Sequence, residues 1–234
     1  MQKIDDSKLK HVLMAECDYG SLFGSNIAKH AQLMKFSPQE YIVKNQVKPD
    51  YLFYLVRGKA KLYDFLANGK DTLVDFFTPP CFVGEMELMD TQSEPFSVQV
   101  IDDCYCLALP VAKYKQQLLA DPVFLRNVCL YLAHKNARNI KTASQNQGFT
   151  LSQRLSAFIL LTSHDGRYHE KHTQVAEYLG VSYRHLLYVI ADFVKAGYLQ
   201  KDQRSYRIKD EAGLQNLAWE VNLSNEWHEK ASDA

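Results

Sequence analysis

The sequence predicts an α+β chain: antiparallel strands come first, a long helix follows, and a small domain of short helices with a β-hairpin comes last. Three observations carry this. From about residue 33 to 109 the chain is rich in Val, Ile, Tyr and Phe, in short runs cut by Gly58, Asn68-Gly69 and Pro79-Pro80. After Pro110 the strand character stops and "DPVFLRNVCLYLAHKNARNIKTASQNQ" reads as one long helix. Then "HTQVAEYLGVSYRHLLYVIADFV" (172–194) places two amphipathic helical patterns on either side of a single glycine, with two short strand patterns after it.

Composition sets the bounds. A chain of 234 residues holds one large domain or two smaller ones, and 47% hydrophobic content is ample for a core. Apolar runs such as "YLFYLV" (51–56) are far too short to span a bilayer. The opening "MQKIDDSKLKHVLMAE" has early acidic residues and no apolar signal core, which points to the cytoplasm and to no membrane partner. Five scattered cysteines, an odd number, suit a reducing compartment better than a disulfide framework. The zero net charge hides local imbalance. Residues 148–209 carry 9 Lys/Arg against 5 Asp/Glu, a +4 excess, whereas residues 210–234 carry 1 against 6. The basic excess coincides with the glycine-broken helix pair, as phosphate contact requires.

Taken in order, residues 1–30 read as helical and mixed in polarity, without a sharp motif. In the strand region "KAKLYDF" alternates, with Ala60 and Leu62 opposite Tyr63, and "NG" at 68–69 signals a hairpin because both residues accept positive φ. "FSVQVIDDCYCLALP" extends the strands to Pro110. Several short strands at regular spacing predict a small antiparallel barrel or roll. "VAKYKQQLLA" is a short helix. In the long helix after it, Asp121 is placed to cap and Pro122 to open the first turn. Its stripe of Leu125, Val128, Cys129 and Leu132, running into Asn136 and Asn139, predicts pairing with a second copy of the same helix. "SQNQG" (144–148) reads as a hinge. "FTLSQRLSAFILLTSHDG" is a further amphipathic helix, and Leu214, Leu217, Ala218 and Val221 give the tail one more.

The glycine-broken pair is the most informative stretch. Val175, Ala176 and Leu179 form one apolar face, and Leu186, Val189, Ile190 and Phe193 form the next. Gly180 ends the first helix in a left-handed conformation and Ser182 caps the second. "AGYLQKDQRSYRIKD" supplies two strands around a basic turn. Helix, helix–turn–helix and hairpin, in that order, describe a winged helix.

This order of parts resembles the superfamily of the cyclic-AMP receptor protein and the fumarate–nitrate reductase regulator, bacterial transcription factors. The resemblance covers roughly residues 30–210. "FVGEMELMD" (82–90) is similar to the family's Gly-Glu segment at the ligand-binding turn of its β-roll, and "TQVAEYLGVSYRHLLYVI" (173–190) is similar to its helix–turn–helix. The implied architecture is a cyclic-nucleotide-binding-like roll (a double-stranded β-helix) over residues 1–120. A dimerisation helix at 121–147, a winged helix-turn-helix at 148–210 and a helical tail at 211–234 follow. The implied partners are a palindromic duplex with half-sites one helical turn apart, a second copy of the chain, and RNA polymerase. Matching the motif, Tyr183, Arg184 and Tyr188 fall at base-reading positions, on a polar face opposite Leu186, Leu187, Val189 and Ile190. Arg184 has the donors to grip guanine O6 and N7. Thr173 and Ser182 sit at helix starts suited to phosphate, and Lys201, Arg204 and Arg207 on the wing face the backbone.

The sensor half departs from its cyclic-nucleotide-binding relatives. There the Gly-Glu pair, here Gly84 and Glu85, is followed about ten residues on by an arginine that neutralises the cyclic phosphate. Here that stretch is "SEPFSVQV", and no arginine lies between Arg57 and Arg126. A buried phosphate without a cation is costly, so the sequence argues against cyclic AMP and assigns Gly84 and Glu85 a structural part or another ligand. The N-terminal cysteine cluster of the iron–sulfur relatives is also missing. Cys104 and Cys106 share a strand face, with Cys81 in a nearby loop and Cys129 on the next helix. Plain packing, a thiol switch and a metal or iron–sulfur cluster held by thiolates are the open readings. His164, His169 and His172 gather in a solvated loop where protonated imidazoles can assist phosphate contact. Two other classes stay open. One is a protein-interaction module that does not read DNA. The other is a β-roll metalloenzyme, which the lack of any histidine between residues 31 and 133 disfavours.

Overall fold

The computed structural model describes residues 1–65, 69, 71–90 and 92–232. It divides into two compact units, Met1–Asn136 and Ala137–Ala234. The class is α+β, with the antiparallel sheet in the first unit and the helix-turn-helix in the second.

The first unit begins with β1 (Gln2–Ile4), α1 (Ser7–Glu16) and two 3-10 turns (Tyr19–Leu22 and Asn26–His30). Residues 1–30 are therefore not all helical, because Gln2–Ile4 extends the sheet edge by pairing with β2 (Gln32–Phe36). Then come β3 (Tyr41–Val43), β4 (Tyr51–Phe65), β5 (Asp71–Phe77), β6 (Cys81–Val83), α2 (Glu85–Met89), β7 (Ser97–Pro110) and α3 (Val111–Leu119). β4 and β5 pair antiparallel, as a hairpin requires; residues 66–68 and 70 of the expected turn lie outside the described residues.

β4 and β7 pair along almost their whole lengths, with register shifts clustered between Leu55 and Ala60. These bulges bend the pair, and the two ends take different neighbours. β2 and β6 join the Leu52–Leu55 end, while β3 and β5 join the Ala60–Phe65 end. Gly58 sits at the bend with φ +99°; a Cβ there would lie 2.4 Å from the Asp103 carbonyl oxygen. Only glycine fits so close an approach.

Side-chain alternation explains "YLFYLV". Phe53 and Leu55 point into the roll with Phe36, Phe77, Val100 and Cys106, whereas Leu52 and Tyr54 point outward against Leu13, Tyr19, Leu109 and Phe124. Both faces are covered, so the strand reads as one apolar run. The outer cover includes α4 (Pro122–Gly148), whose first turn is fixed by a single carboxylate. Asp121 Oδ1 accepts from the Val123 and Phe124 amides at 3.0 and 3.2 Å, and its Oδ2 accepts from the Gly24 amide at 2.9 Å.

Two expectations for α4 change. Residues 144–148, expected as a hinge, continue the helix, and the break falls at Phe149 and Thr150. Val128, with Phe124, packs on its own roll, and Leu125 and Leu132 are partly buried there; Cys129 is exposed. The apolar face left to solvent lies beside that stripe: Leu130, Ala133, Ala137 and Ile140, with Leu130 41% and Ile140 61% exposed.

The second unit holds α5 (Leu151–Thr162), β8 (Arg167–Tyr168), α6 (His172–Tyr178), α7 (Tyr183–Lys195), β9 (Leu199–Asp202), β10 (Ser205–Ile208) and α8 (Glu211–Ser232). Three strands pair antiparallel in the order β8-β10-β9. α8 packs on α5 through the expected tail pattern, burying Leu214, Ala218 and Val221.

Candidate nucleic-acid interface

The α6–α7 turn is set by local chemistry. Gly180 takes φ +65°, the Gly180 amide bonds to Glu177 O at 3.0 Å and the Val181 amide to Ala176 O at 2.9 Å. That pair of bonds is the Schellman closure of a helix end. Ser182 then caps α7 by accepting from the His185 amide at 3.2 Å. The turn is also held from beneath. Arg154 of α5, buried, donates to Leu179 O at the end of α6 and to Phe149 O at 3.1 Å. Desolvation lowers its pKa, and its bond to Leu179 O lies at the carbonyl end of α6, where the helix dipole favours a cation.

This frame decides what α7 presents. Leu186, Val189, Ile190 and Phe193 are buried. Tyr183, Arg184, Leu187 and Tyr188 are exposed, at 48% for Tyr183, 38% for Leu187 and 58% for Tyr188. Leu187 was expected among the buried residues. Its position between Arg184 and Tyr188 on the outer face corrects that and adds an apolar contact to a polar surface. The signal was present in the spacing: 183, 184, 187 and 188 recur at helical period beside the buried set. Arg184 Nη2 lies 3.2 Å from the Tyr188 hydroxyl, and its guanidinium carbon is 5.7 Å from the Tyr188 ring centroid. The two side chains are thus arranged as a pair.

Thr173 does not cap α6: it is the second residue of the helix, which Lys171 precedes without a side-chain cap. It is exposed all the same, as are Lys201, Arg204 and Arg207. His172 is not part of a solvated loop. Its ring stacks on Tyr168 at 5.9 Å and lies 5.6 Å from Tyr206, and burial pulls its pKa below the ordinary histidine value. The ring therefore packs between α6 and the sheet, where burial disfavours the charged form that phosphate contact would use.

In the first unit, Gly84 adopts φ +90° and starts α2, and a Cβ there would meet Tyr51 O at 3.2 Å. Glu85 is buried and paired with Lys135 of α4: Nζ to Oε1 is 3.3 Å, with the side chains 12% and 3% exposed. Lys135 Nζ also sits 5.1 Å from the Phe77 ring centroid and 5.8 Å from that of Tyr131. Burial raises the Glu85 pKa and Lys135 opposes the shift. The sequence-based reading missed this partner, which is fifty positions away on another element.

Cys81, Cys104 and Cys106 do come together inside the roll; Cys129, exposed on α4, does not join them. Leu55 pairs with both Cys81 and Cys106 on the strands flanking β4. Burial pushes the Cys104 thiol up to about 12 and that of Cys106 well above its ordinary value, which keeps both protonated and poorly nucleophilic. Among the described residues, no group of three or more His, Cys, Asp or Glu side chains is placed to hold a metal ion. No helix among them is long and apolar enough to cross a membrane.

Comparison with known proteins fits this geometry. Residues 33–121 match the cyclic nucleotide-binding domain family and residues 153–217 match the Crp-like helix-turn-helix domain family. The chain is 50% identical over 214 residues to the regulatory protein YeiL of Escherichia coli O157:H7, covering 92% of this chain and 98% of that protein. A Crp/Fnr-family structure from Eubacterium rectale superimposes with a TM-score of 0.65 at 14% identity, covering 92% of this chain and 95% of its own. A CRP-family transcriptional regulator from Thermus thermophilus gives 0.60 at 18%, with 79% and 96% covered.

Proposed function

The chain belongs to the Crp/Fnr superfamily of transcriptional regulators and carries its helix-turn-helix DNA-binding domain, and from that premise we propose that it acts as a homodimer on a roughly palindromic duplex. The observation that carries the proposal is the outer face of α7. It offers Arg184 and Tyr188 as a pre-arranged pair beside Tyr183 and Leu187, in the helix's N-terminal half. Arg184 supplies a bidentate donor set for guanine, and Leu187 an apolar contact for a thymine methyl. Ser182, Thr173, Lys201 and Arg204 contact phosphates around it.

Pairing of two chains is supported by the exposed Leu130, Ala133, Ala137 and Ile140 stripe of α4, spaced three and four apart as a helix–helix seam requires. Two copies then present two α7 helices to half-sites one turn of DNA apart. The roll is the sensing part, residues 1–120. Residues 121–147 couple it to the reading part at 148–210, and the tail buttresses α5 through Leu214, Ala218 and Val221. The signal is not cyclic AMP: Glu85 is already engaged by Lys135, and the stretch that would supply a phosphate-binding arginine has none. The buried, protonated thiols of Cys104 and Cys106 favour packing over a switch. RNA polymerase is the downstream partner.

Selection of bound duplexes from a random pool tests this. Enrichment of a palindrome with one-turn spacing is the expected result. Arg184→Ala should then weaken binding to the selected site by about 1–3 kcal/mol and relax preference at one position. A pool that enriches nothing, with a protein partner retained by the Arg184→Ala variant, would replace the proposal with an interaction module.

A further inference from the structure

The outer face of the β8-β10-β9 sheet is a charged surface distinct from α7. Arg167 lies directly opposite Arg207 in the register, and Ser205 opposite Asp202. Strand alternation therefore sends these four to one face and Tyr168, Tyr206 and Leu199 to the other. The second face is the packed one, since Tyr168 and Leu199 are buried. Of the first face, Arg167, Asp202 and Ser205 line an open concavity together with His169, just after β8, and with Gln203 and Arg204 at the hairpin tip.

One carboxylate oxygen sits among these cations. Asp202 Oδ2 is 3.3 Å from Arg167 Nη1 and 3.7 Å from Arg207 Nη2. The arginine side chains are 51% and 52% exposed and that of Asp202 is 35% exposed, so the contact is wet and easily exchanged. A guanidinium carries five donors, and one shared oxygen satisfies few of them. A phosphodiester oxygen has the same charge and comes in a repeating row.

We propose that Asp202 is an electrostatic brake on the phosphate-backbone contacts of the wing, and that Arg167 joins Arg207 in making them. Asp202 holds part of the charge of Arg167 and Arg207 when no duplex is present and competes with phosphates for both. The inference rests on the DNA-reading function proposed above. Because phosphates carry no sequence information, the brake acts equally on target and random duplexes. It lowers affinity and salt sensitivity without altering the preference for the target.

The test is fluorescence anisotropy with the full chain, a selected duplex and a random duplex, across a series of KCl concentrations. Asp202→Asn should tighten both duplexes by the same factor, about three- to tenfold, and steepen log K against log[salt] by about one to two. Asp202→Glu, which keeps the charge, should behave as the wild type. The double variant Arg167→Ala/Arg207→Ala should flatten the slope by about one to two, and adding Asp202→Asn to it should change nothing further. The brake is overturned if Asp202→Asn leaves slope and random-duplex affinity unchanged, or if its effect survives without the two arginines. If the wild type selects its target under those outcomes, only this inference falls. A wild type that binds neither duplex removes the DNA reading and the brake together.

Discussion

Replacing Lys135 by Met keeps most of the side chain's bulk beside Phe77 and Tyr131 but removes the cation 3.3 Å from Glu85. Breaking one partner out of a buried ion pair costs about 3–5 kcal/mol because the other charge is left without compensation. Glu85 can relieve part of this by taking a proton, since burial already raises its pKa. A loss of about 3 kcal/mol near pH 8 follows, and at about 2.1 cal/mol/K of unfolding entropy per residue it lowers the melting temperature of the Met1–Asn136 unit by about 10 °C. The pH dependence has a definite sign. Without Lys135 the folded-state pKa of Glu85 rises further above its unfolded value of about 4.3, so the folded state holds the proton more tightly. Stability is then lost as pH rises from there through the folded pKa, and the deficit shrinks again toward about pH 5. Both tryptophans, Trp219 and Trp227, lie in the Ala137–Ala234 unit, so their fluorescence serves as an internal control. The roll is followed instead by hydrogen exchange at the β4 and β7 amides. An equal deficit at both pH values would falsify the charge argument, and so would a Glu85→Gln/Lys135→Met double variant as unstable as the single one.

Other outcomes follow from the same geometry. With a thiol reagent under native conditions, Cys129 should react at once, while Cys81, Cys104 and Cys106 should react only on unfolding; fast modification of Cys104 would revive a switch. Burial lowers the pKa of His172, so the second unit should lose stability as pH falls below the unfolded histidine value of about 6.5, and His172→Phe should flatten that dependence in tryptophan-detected melts. Leu187→Ala should weaken binding to the selected duplex by about 1 kcal/mol, through a lost thymine contact, and leave the melting temperature unchanged; a drop in melting temperature would place Leu187 in the core instead.

What was legible in the sequence was local. The caps made by Asp121 before Pro122, Gly180 after Leu179 and Ser182 before Tyr183 act through neighbours two to five positions away, and the structure uses each as the residue types predict; the second bond of Asp121, from the distant Gly24 amide, had no such local signal. The bend of the roll was not legible. Gly58 appeared as a break between strands but lies inside β4, where it is needed because Cys104 and the Asp103 carbonyl pass so close. The face of α4 turned toward the roll could not be told from the face left to solvent, because both are apolar. Which one is covered depends on Phe82, Leu107 and Leu109, far away in the chain. Leu187 was misplaced for the opposite reason: hydrophobicity was taken as burial, although its spacing puts it on the helix face with Tyr183, Arg184 and Tyr188, which is exposed. Glu85 stood out in the sequence only through its Gly-Glu motif, and the partner the structure gives it, Lys135, is set by tertiary packing alone.

The carboxylate of Asp121 and the ion pair at Lys135 bear on α4 as mounting points bear on a rod. They lie fourteen residues apart, about 21 Å at 1.5 Å per residue. The first grips the backbone at Val123, Phe124 and Gly24, which blocks sliding along the axis. Between them Asn127 Nδ2 donates to the Ser21 and Leu22 carbonyls at 3.4 and 3.3 Å, and the Tyr131 hydroxyl donates to Phe82 O at 3.0 Å. A rod fastened at successive points along one side is a stiff part of its mount. A shift of the turn at Gly84 and Glu85 is then shared along the whole span from Asp121 to Lys135 instead of being concentrated at one end.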